Sequence, residues 1–361
     1  MKNSIQNFLY SLLAGANIMT ILLMLTTGYS DWIDPREHEL LACSGMVFPF
    51  FVIANLLFIV VWVIFSWKRL PIPIIGLLLA YPAIRVYMPL HGKQDVPEKS
   101  LCVISYNVCT FGGNYKYEHA FDSIFAFIER NKADIVCLQE DIHSPLKDYE
   151  RYFPYNDTTI VSAYNIPIYN AVGIHSRFPI LKKEVINYHS ATNGSVAYFL
   201  LIEGDTVIVV NNHLESSHLS SDDRNRYQEL LKGEVERQTA KSEAKLLAGK
   251  LSQAMAIRAE HVDSIRSYVD RHSQYPIIIC GDFNDTPISY THRRMTEGLT
   301  DCYVESGRGP GLSYNRLGFN FRIDHMICSS HFEPYACEID NGIDFSDHYP
   351  LICWLKKREN P

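Results

Sequence analysis

A carboxylate one residue away from a carboxamide can hold and orient a water molecule against a metal-bound phosphate, and Asp282-Phe-Asn284 is such a pair. The run before it, Ile277-Ile-Ile-Cys280, is short, β-branched and apolar throughout, as expected of a strand buried on both faces. Gly281 interrupts the run where the backbone must approach something closely. Open α/β sheets place their ligands at such carboxyl ends. Alone, the same residues also describe a Gly-Asp turn with an Asx cap ahead of a helix, which Pro287 and Ser289 predict.

The pattern recurs along the chain. Leu101 to Val108 reads as a strand whose end carries Asn107, and Ala133 to Glu140 as one ending in Gln139-Glu140. Val207 to Leu214 ends in Asn212-His213, Phe321 to Cys328 is an apolar strand interrupted by Asp324, and Asp347-His348 stands just ahead of the last apolar run. Each ending has an ordinary reading, since strand-end acids and amides cap turns and a lone histidine is more often structural. Six in one chain argue for a shared sheet edge. Between the first two strands, Phe121, Ile124, Phe125 and Ile128 recur at helical spacing.

Asn107, Gln139-Glu140, Asn212-His213-Leu214, Gly281-Asp-Phe-Asn284, Arg322-Ile-Asp324 and Ser346-Asp-His-Tyr-Pro350 occur in the order seen in the endonuclease/exonuclease/phosphatase superfamily. The chain resembles that group from about residue 100 to 356. The resemblance implies an α/β fold, a four-layer α/β sandwich catalytic domain of two central sheets with helices outside, preceded here by an N-terminal transmembrane helical segment. It also implies roles. Glu140 would bind Mg2+, with Mn2+ as the substitute, and Asn107 and Asp347 would lie close to the ion. Asp282 would orient and deprotonate the attacking water, with Asn284 fixing it in line. His348 would donate to a phosphate oxygen while Asp324 holds its imidazole, and His213 takes the place of a second phosphate-contacting or acid group. Asn212 is assigned to substrate. One acid used by deoxyribonuclease-like members between the Glu140 and His213 positions has no clear counterpart, and Asn170 is the polar substitute. His175 and Arg177 are candidates for facing phosphate, with a surface turn as the alternative for Arg177.

The first ninety residues have a different composition. Phe8 to Thr27 and Met46 to Trp67 are almost uncharged and long enough to cross a bilayer, whereas Leu70 to Leu90 is broken by Pro71, Pro73, Pro82 and Pro89 and carries Arg85. The expected organisation is an anchor of about three transmembrane helices over 1–91, a polar linker over 92–100 and a catalytic domain over 101–361. Lys2, Lys68 and Arg69 place the amino terminus and the second short loop in the cytoplasm. Three crossings then make this an integral protein of the plasma or inner membrane with its catalytic domain extracytoplasmic; an interfacial third stretch would reverse that. The least family-like stretch, Ser216 to His272, begins charged and continues with Leu246, Leu247, Leu251, Ala254, Met255, Val262, Ile265 and Val269 at helical spacing.

With 361 residues and 47% hydrophobic content the chain has ample material for a core. A formal charge of -7 gives no global attraction to nucleic acid. Nine cysteines, an odd count without a CxxC pair, lie largely in apolar strand-like runs and read as buried thiols. The expected function is a membrane-anchored Mg2+-dependent phosphoesterase acting on a phosphodiester, with a lipid head group or small phosphodiester favoured and no protein partner required. A nuclease acting on DNA or RNA is the runner-up. A catalytically inactive, membrane-tethered binding module is the third reading, and the complete polar set argues against it.

Overall fold

The apolar runs at the amino terminus form helices whose outward faces carry no polar side to offer water. In the computed structural model, which describes residues 2–113, 119–143, 146–163, 170–217, 219–232, 237–316 and 319–358, these are α1 (Lys2–Gly28), a short α2 (Glu39–Ala42) and α3 (Phe48–Phe65). The pair α4 (Pro71–Leu79) and α5 (Tyr81–Tyr87) follows, bent by 59° at its break. Pro82 in the first turn of α5 lacks the amide that would continue α4, which accounts for the break. Two helices are long and apolar enough to cross a membrane, and the bent pair makes a third if taken as one span. Leu12, Ile18, Leu22, Phe50, Leu57 and Val63 are all exposed on the bundle's outside, as a lipid-facing surface requires. Inside, Asn17 Oδ1 accepts from Trp62 Nε1 at 2.9 Å and Asn17 Nδ2 donates to Asn55 Oδ1 at 3.0 Å, polar links that join α1 to α3.

The remainder is built on two six-stranded sheets. The first contains β1 (Leu101–Asn107), β2 (Ile135–Gln139), β3 (Tyr155–Ile160) and β4 (Ala171–Ser176), with β13 (Phe332–Ile339) and β14 (Leu351–Lys357), in the order β13-β14-β1-β2-β4-β3. The second contains β5 (Ile180–Ile186), β6 (Gly194–Ile202), β7 (Asp205–His213), β8 (Ile277–Asp282), β9 (Thr300–Asp301) and β12 (Asp324–Cys328), in the order β5-β6-β7-β8-β12-β9. A separate hairpin, β10 (Tyr314–Arg316) and β11 (Phe319–Phe321), projects beside them.

Alternation along the strands sorts residues into layers. Val103, Cys137, Val172, Tyr198, Val209, Cys280, Met326 and Cys353 pack between the two sheets. The other face of the first sheet, with Ile104, Val136 and Ile352, is covered by Phe121, Ile124 and Ile128 of α7 (Ala120–Arg130), which follows a one-turn α6 (Cys109–Gly112). The other face of the second, with Ile208, Val210, Ile279 and Ile327, is covered by Val262, Ile265 and Val269 of α9 (Arg237–Arg271) and Met295 of α10 (Tyr290–Thr296). These are four layers, helix, sheet, sheet, helix. The α8 helix (Ser221–Lys232) lies against α9, and α11 (Cys302–Ser306) packs on β13. The thiols are all free, and all but Cys43 are buried.

One expected strand differs. Residues 321 to 328 do not run straight: β11 ends at Phe321 and β12 begins at Asp324. Between them the buried Arg322 turns its guanidinium to the carbonyls of Val86 and Pro310, at 2.5 and 2.9 Å, while Ser313 Oγ accepts from the amides of Ile323 and Asp324. The Arg322 contact with Val86 is one of several that tie the helical bundle to the sandwich. Arg36 meets Asp263 at 2.9 Å, Arg293 donates to the Asp31 carbonyl at 3.0 Å, and Arg85 meets Glu305 at 2.8 Å. All join the sandwich to the end of α1 that carries Gly28 and to the end of α5. Arg69, by contrast, stacks over Tyr10 and Trp62, so Lys68 and Arg69 sit toward the amino-terminal end of α1.

Candidate functional site

Register aligns the polar strand ends. In the second sheet His213 pairs with Asp282, and Asp282 with Asp324, so three neighbouring strands present these groups in one row. In the first sheet Asn107 pairs with Gln139, which puts Glu140 one step beyond β2. Gly281 makes this packing feasible: its φ is +134°, and a Cβ there would stand 2.0 Å from the Asn212 carbonyl oxygen. Glu140 and Asn284 adopt φ of 53° and 52°, left-handed conformations that cost about 1–2 kcal/mol each in side chains of this kind.

Asn107 stitches the two sheets together. Its single amide nitrogen donates to Glu140 Oε1 at 3.3 Å and to Asp282 Oδ2 at 3.1 Å, while its oxygen accepts the Cys109 amide at 3.0 Å. Asp282 Oδ1 accepts the Asn284 amide at 2.8 Å, and Asn284 Nδ2 donates to the Leu214 carbonyl at 3.0 Å. Two imidazoles flank Asp282 Oδ2, His348 Nε2 at 3.6 Å and His213 Nε2 at 3.7 Å. Behind them, His348 Nδ1 meets Asp324 Oδ2 at 2.8 Å and Asn170 Nδ2 donates to His213 Nδ1 at 2.9 Å. Ser346 Oγ donates to the Asn107 carbonyl at 2.7 Å and so fastens the loop carrying Asp347 and His348 to the end of β1.

The two histidines are electrostatically unlike. Burial alone would lower His348, but Asp324 and Asp282 outweigh it and push the imidazole up to about 10, so it is cationic at neutral pH. Burial lowers His213 and Asp282 only partly offsets it, so the ring is neutral, with Nδ1 against the Asn170 amide and Nε2 toward Asp282. Burial raises Asp282 despite the pull of His348 and His213. Glu140 is also raised, first by burial and then by repulsion from Asp347, and His348 and the Asn107 amide offset this only in part.

That repulsion tests whether a cation fits. Glu140 and Asp347 are two carboxylates lining one cleft beside an amide, a hard-oxygen set of the sort magnesium and manganese accept. Asp282, Asp324 and His348 also bring three ligand atoms within 4.8 Å. In that trio, however, both imidazole nitrogens face carboxylates, Nδ1 toward Asp324 and Nε2 toward Asp282, which favours the charged ring with a proton on each and no lone pair to give. The Glu140 and Asp347 corner is the one whose chemistry suits a metal.

These residues line a cavity of about 400 Å³ that includes Asn107, Glu140, His213, Asp282, Asn284, Asp347 and His348. Asp324 and Asn170 stand behind the lining histidines. Asn212 is turned away: its Nδ2 donates to the carbonyls of Cys280 and Val210 inside the sheet, because at its position on β7 the side chain points between strands instead of out of the edge. His175 lies outside the cavity as well, stacked on Tyr149 at 4.3 Å and bonded to Asn156, and Arg177 donates to the Ala133 carbonyl.

The cavity has walls that the motifs did not announce. Arg224 of α8 and Leu251, Met255 and Arg258 of α9 border it, so the 216–272 stretch helps shape the opening. Arg258 is buried, meeting Asp285 at 3.1 Å and the Glu215 carbonyl at 2.9 Å. A lone arginine within Ala254-Met-Ala-Ile-Arg-Ala259 was the available signal. Tyr314 and Phe321 come from the hairpin, and Met46 from the turn before α3. Met46 has no local signal at all, since only the tertiary arrangement brings it here.

A family model for endonuclease/exonuclease/phosphatase proteins matches residues 104–348. The chain belongs to that family. A second model, for a domain of unknown function, matches residues 10–87, the helical bundle. No curated protein sequence matches the chain. Among solved structures, the catalytic domain of human Nocturnin with bound sulfate is similar at 15% identity and a TM-score of 0.52, covering 73% of this chain and 96% of that one. An endonuclease/exonuclease/phosphatase family protein from Bacteroides thetaiotaomicron aligns at 16% identity and 0.51, covering 74% and 98%. A mannosyl-6-phosphatase from the same organism aligns at 17% and 0.50, covering 71% and 100%. At these identities the neighbours bear on the fold, the family's α/β sandwich, and not on substrate.

Proposed function

We propose that this is a membrane-anchored phosphoesterase that hydrolyses a phosphodiester by in-line attack of water, with a lipid-borne phosphodiester as the favoured substrate. The division is an anchor over 1–91, a linker over 92–100 and a catalytic domain over 101–361. The observation that carries the reading is the convergence of Asn107, Glu140, His213, Asp282, Asn284, Asp347 and His348 on one cavity that Met46 of the helical bundle also lines.

Glu140 and Asp347, with Asn107 beside them, would hold Mg2+ or Mn2+. The bound cation would polarise the phosphoryl oxygen and ease charge growing on the leaving oxygen. Asp282, its Oδ1 held by the Asn284 amide, orients and deprotonates the attacking water through Oδ2. His348, kept cationic by Asp324, donates to a non-bridging oxygen whose negative charge grows at the transition state. His213 presents its Nε2 proton on the other side of Asp282, where a second phosphate oxygen or the leaving group can take it. The raised Asp282 carboxylate suits a base better than an ordinary, weakly basic aspartate.

Met46 favours a lipid over a nucleic acid. The cavity is lined in part by the turn entering a helix long and apolar enough to cross a bilayer, and Leu219, Leu251 and Met255 are further apolar lining residues. Trp32, Leu40, Leu41 and Val47, exposed on the same turns, suit the bilayer boundary. Lys68 and Arg69 lie at the opposite end of the bundle, and the positive-inside rule supports reading that end as cytoplasmic and the sandwich as lying beyond the membrane.

The test is a substrate panel on the full chain in detergent-lipid mixtures with Mg2+: vesicle-embedded sphingomyelin and glycerophospholipids, inositol phosphates, duplex DNA and single-stranded RNA. The proposal expects a lipid phosphodiester to have the highest kcat/KM. Highest turnover on an oligonucleotide would replace it with the nuclease reading, and turnover of none, bis-p-nitrophenyl phosphate included, with the binding-module reading.

A further inference from the structure

We infer that His292, Asp301 and His325 form a second divalent-cation site, of the imidazole-and-carboxylate kind that takes zinc, on the reverse face of the strand that carries Asp324. His292 comes from α10, Asp301 from β9 and His325 from β12, and one ligand atom from each lies within 4.8 Å of the others. All three are enclosed: His325 is 1% exposed, and the His292 and Asp301 side chains 4% and 7%.

The geometry leaves an electron pair pointing at nothing. His325 Nε2 lies 2.9 Å from the Asp285 carbonyl oxygen, an acceptor only, so the ring proton is on Nε2. Burial, His292 and Arg322 together push this imidazole well below its ordinary pKa, so the ring is neutral and Nδ1 is a bare acceptor. Nδ1 is buried without a hydrogen-bond partner among the described residues. A buried acceptor left in this state is destabilising unless something takes up its lone pair. The neighbouring ring centroid of His292 is 4.7 Å away, and His292 Nε2 is held against Asp301 Oδ2 at 2.6 Å.

That hydrogen-bonded pair keeps two ligands in place. A cation would replace the proton between them, and the two atoms would part to roughly 3.3 Å, as tetrahedral ligands about 2.0 Å from zinc require. Nitrogen donors in two of three positions select zinc or a similar borderline ion over magnesium, which belongs with the oxygen set of the main cavity. Arg322 is the opposing charge; its guanidinium is stacked over Tyr303 at 4.4 Å and bonded to backbone carbonyls, and the Asp301 carboxylate offsets it. His325 stands in register with Gly281, beside Asp282, so the site would pin β9, α10 and β12 directly behind the row of strand ends.

The experiment uses full-length protein in detergent with excess Mg2+ to fill the main cavity. Zinc retained after dialysis is counted by elemental analysis, and cobalt(II) substitution is followed by visible absorption. One zinc per chain and an intense low-coordinate cobalt band are expected, both lost in His292→Ala, with zinc affinity at least tenfold weaker in Asp301→Asn. The asparagine keeps the oxygen that accepts the Val304 amide, so this variant decides the matter if His292→Ala fails to fold by circular dichroism. No zinc above background overturns the inference. So does a zinc affinity unchanged in Asp301→Asn, or zinc that is lost in Glu140→Gln instead.

Discussion

The Asp324→Asn variant isolates the charge that keeps His348 protonated. The amide retains the shape and an oxygen for His348 Nδ1, 2.8 Å away, but removes the carboxylate that does most to hold the imidazole up at about 10. Asp282 at 3.6 Å and Asp347 remain, and burial works against them; if these cancel, the variant imidazole returns to the ordinary value of about 6.5. At pH 8 the protonated fraction then falls from about 99% to about 3%, roughly a thirtyfold loss of the form that donates to phosphate. The assay is kcat/KM for bis-p-nitrophenyl phosphate with Mg2+ from pH 6 to 10. Wild type should hold its plateau until close to the upper end, where the step belongs to the Asp324, His348 and Asp282 cluster as a whole. The variant should begin to fall near neutrality and approach wild type at the acid end. A loss of the same size at every pH, or none, would show that the charge on His348 is not what Asp324 supplies.

Three further outcomes follow from the same geometry. Glu140→Gln relieves the burial of a charge and the repulsion from Asp347, so without metal its melting temperature should rise above wild type, increasingly as pH rises above the ordinary carboxylate range and the native carboxylate ionises; its Mg2+ requirement should increase by about tenfold or more. Gly281→Ala should lower stability by about 2–4 kcal/mol in thermal or denaturant unfolding, because a Cβ meets the Asn212 carbonyl and the backbone sits at positive φ. Met46→Lys should reduce turnover of a vesicle-embedded phosphodiester severalfold and leave bis-p-nitrophenyl phosphate nearly unchanged, since Met46 belongs to the apolar lining of the cavity and not to its polar strand-end groups; equal losses on both would mean that the bundle does not select substrate.

What could be read from the sequence was what continuous apolar runs define. β1, β2, β7 and β8 are buried on both faces, so their ends, and the polar residues there, stand out against uniform hydrophobicity. Edge strands β3 and β5 are half exposed and carry Asn156, Asp157, Lys182 and Lys183, so no such contrast marks them. The site followed the same logic. Residues at strand ends were legible, whereas Arg258 and Met46 reach the cavity from a long helix and from the bundle, by contacts some two hundred residues apart in the case of Met46. Asn212 was misplaced because adjacent residues on a strand face opposite ways, and a motif gives neighbours without saying which one looks outward. His175 was misplaced similarly, belonging to a buried group around Asp141 and Tyr149.

The most direct test of the central claim compares Mg2+-dependent hydrolysis of bis-p-nitrophenyl phosphate by wild type and Asp282→Asn, with and without chelator. The bridging of Glu140 and Asp282 by Asn107, with both imidazoles on Asp282, predicts that wild type turns over only with the divalent ion and that the variant is slower by about a hundredfold or more. Equal rates in the two proteins, or hydrolysis indifferent to chelator, would contradict it.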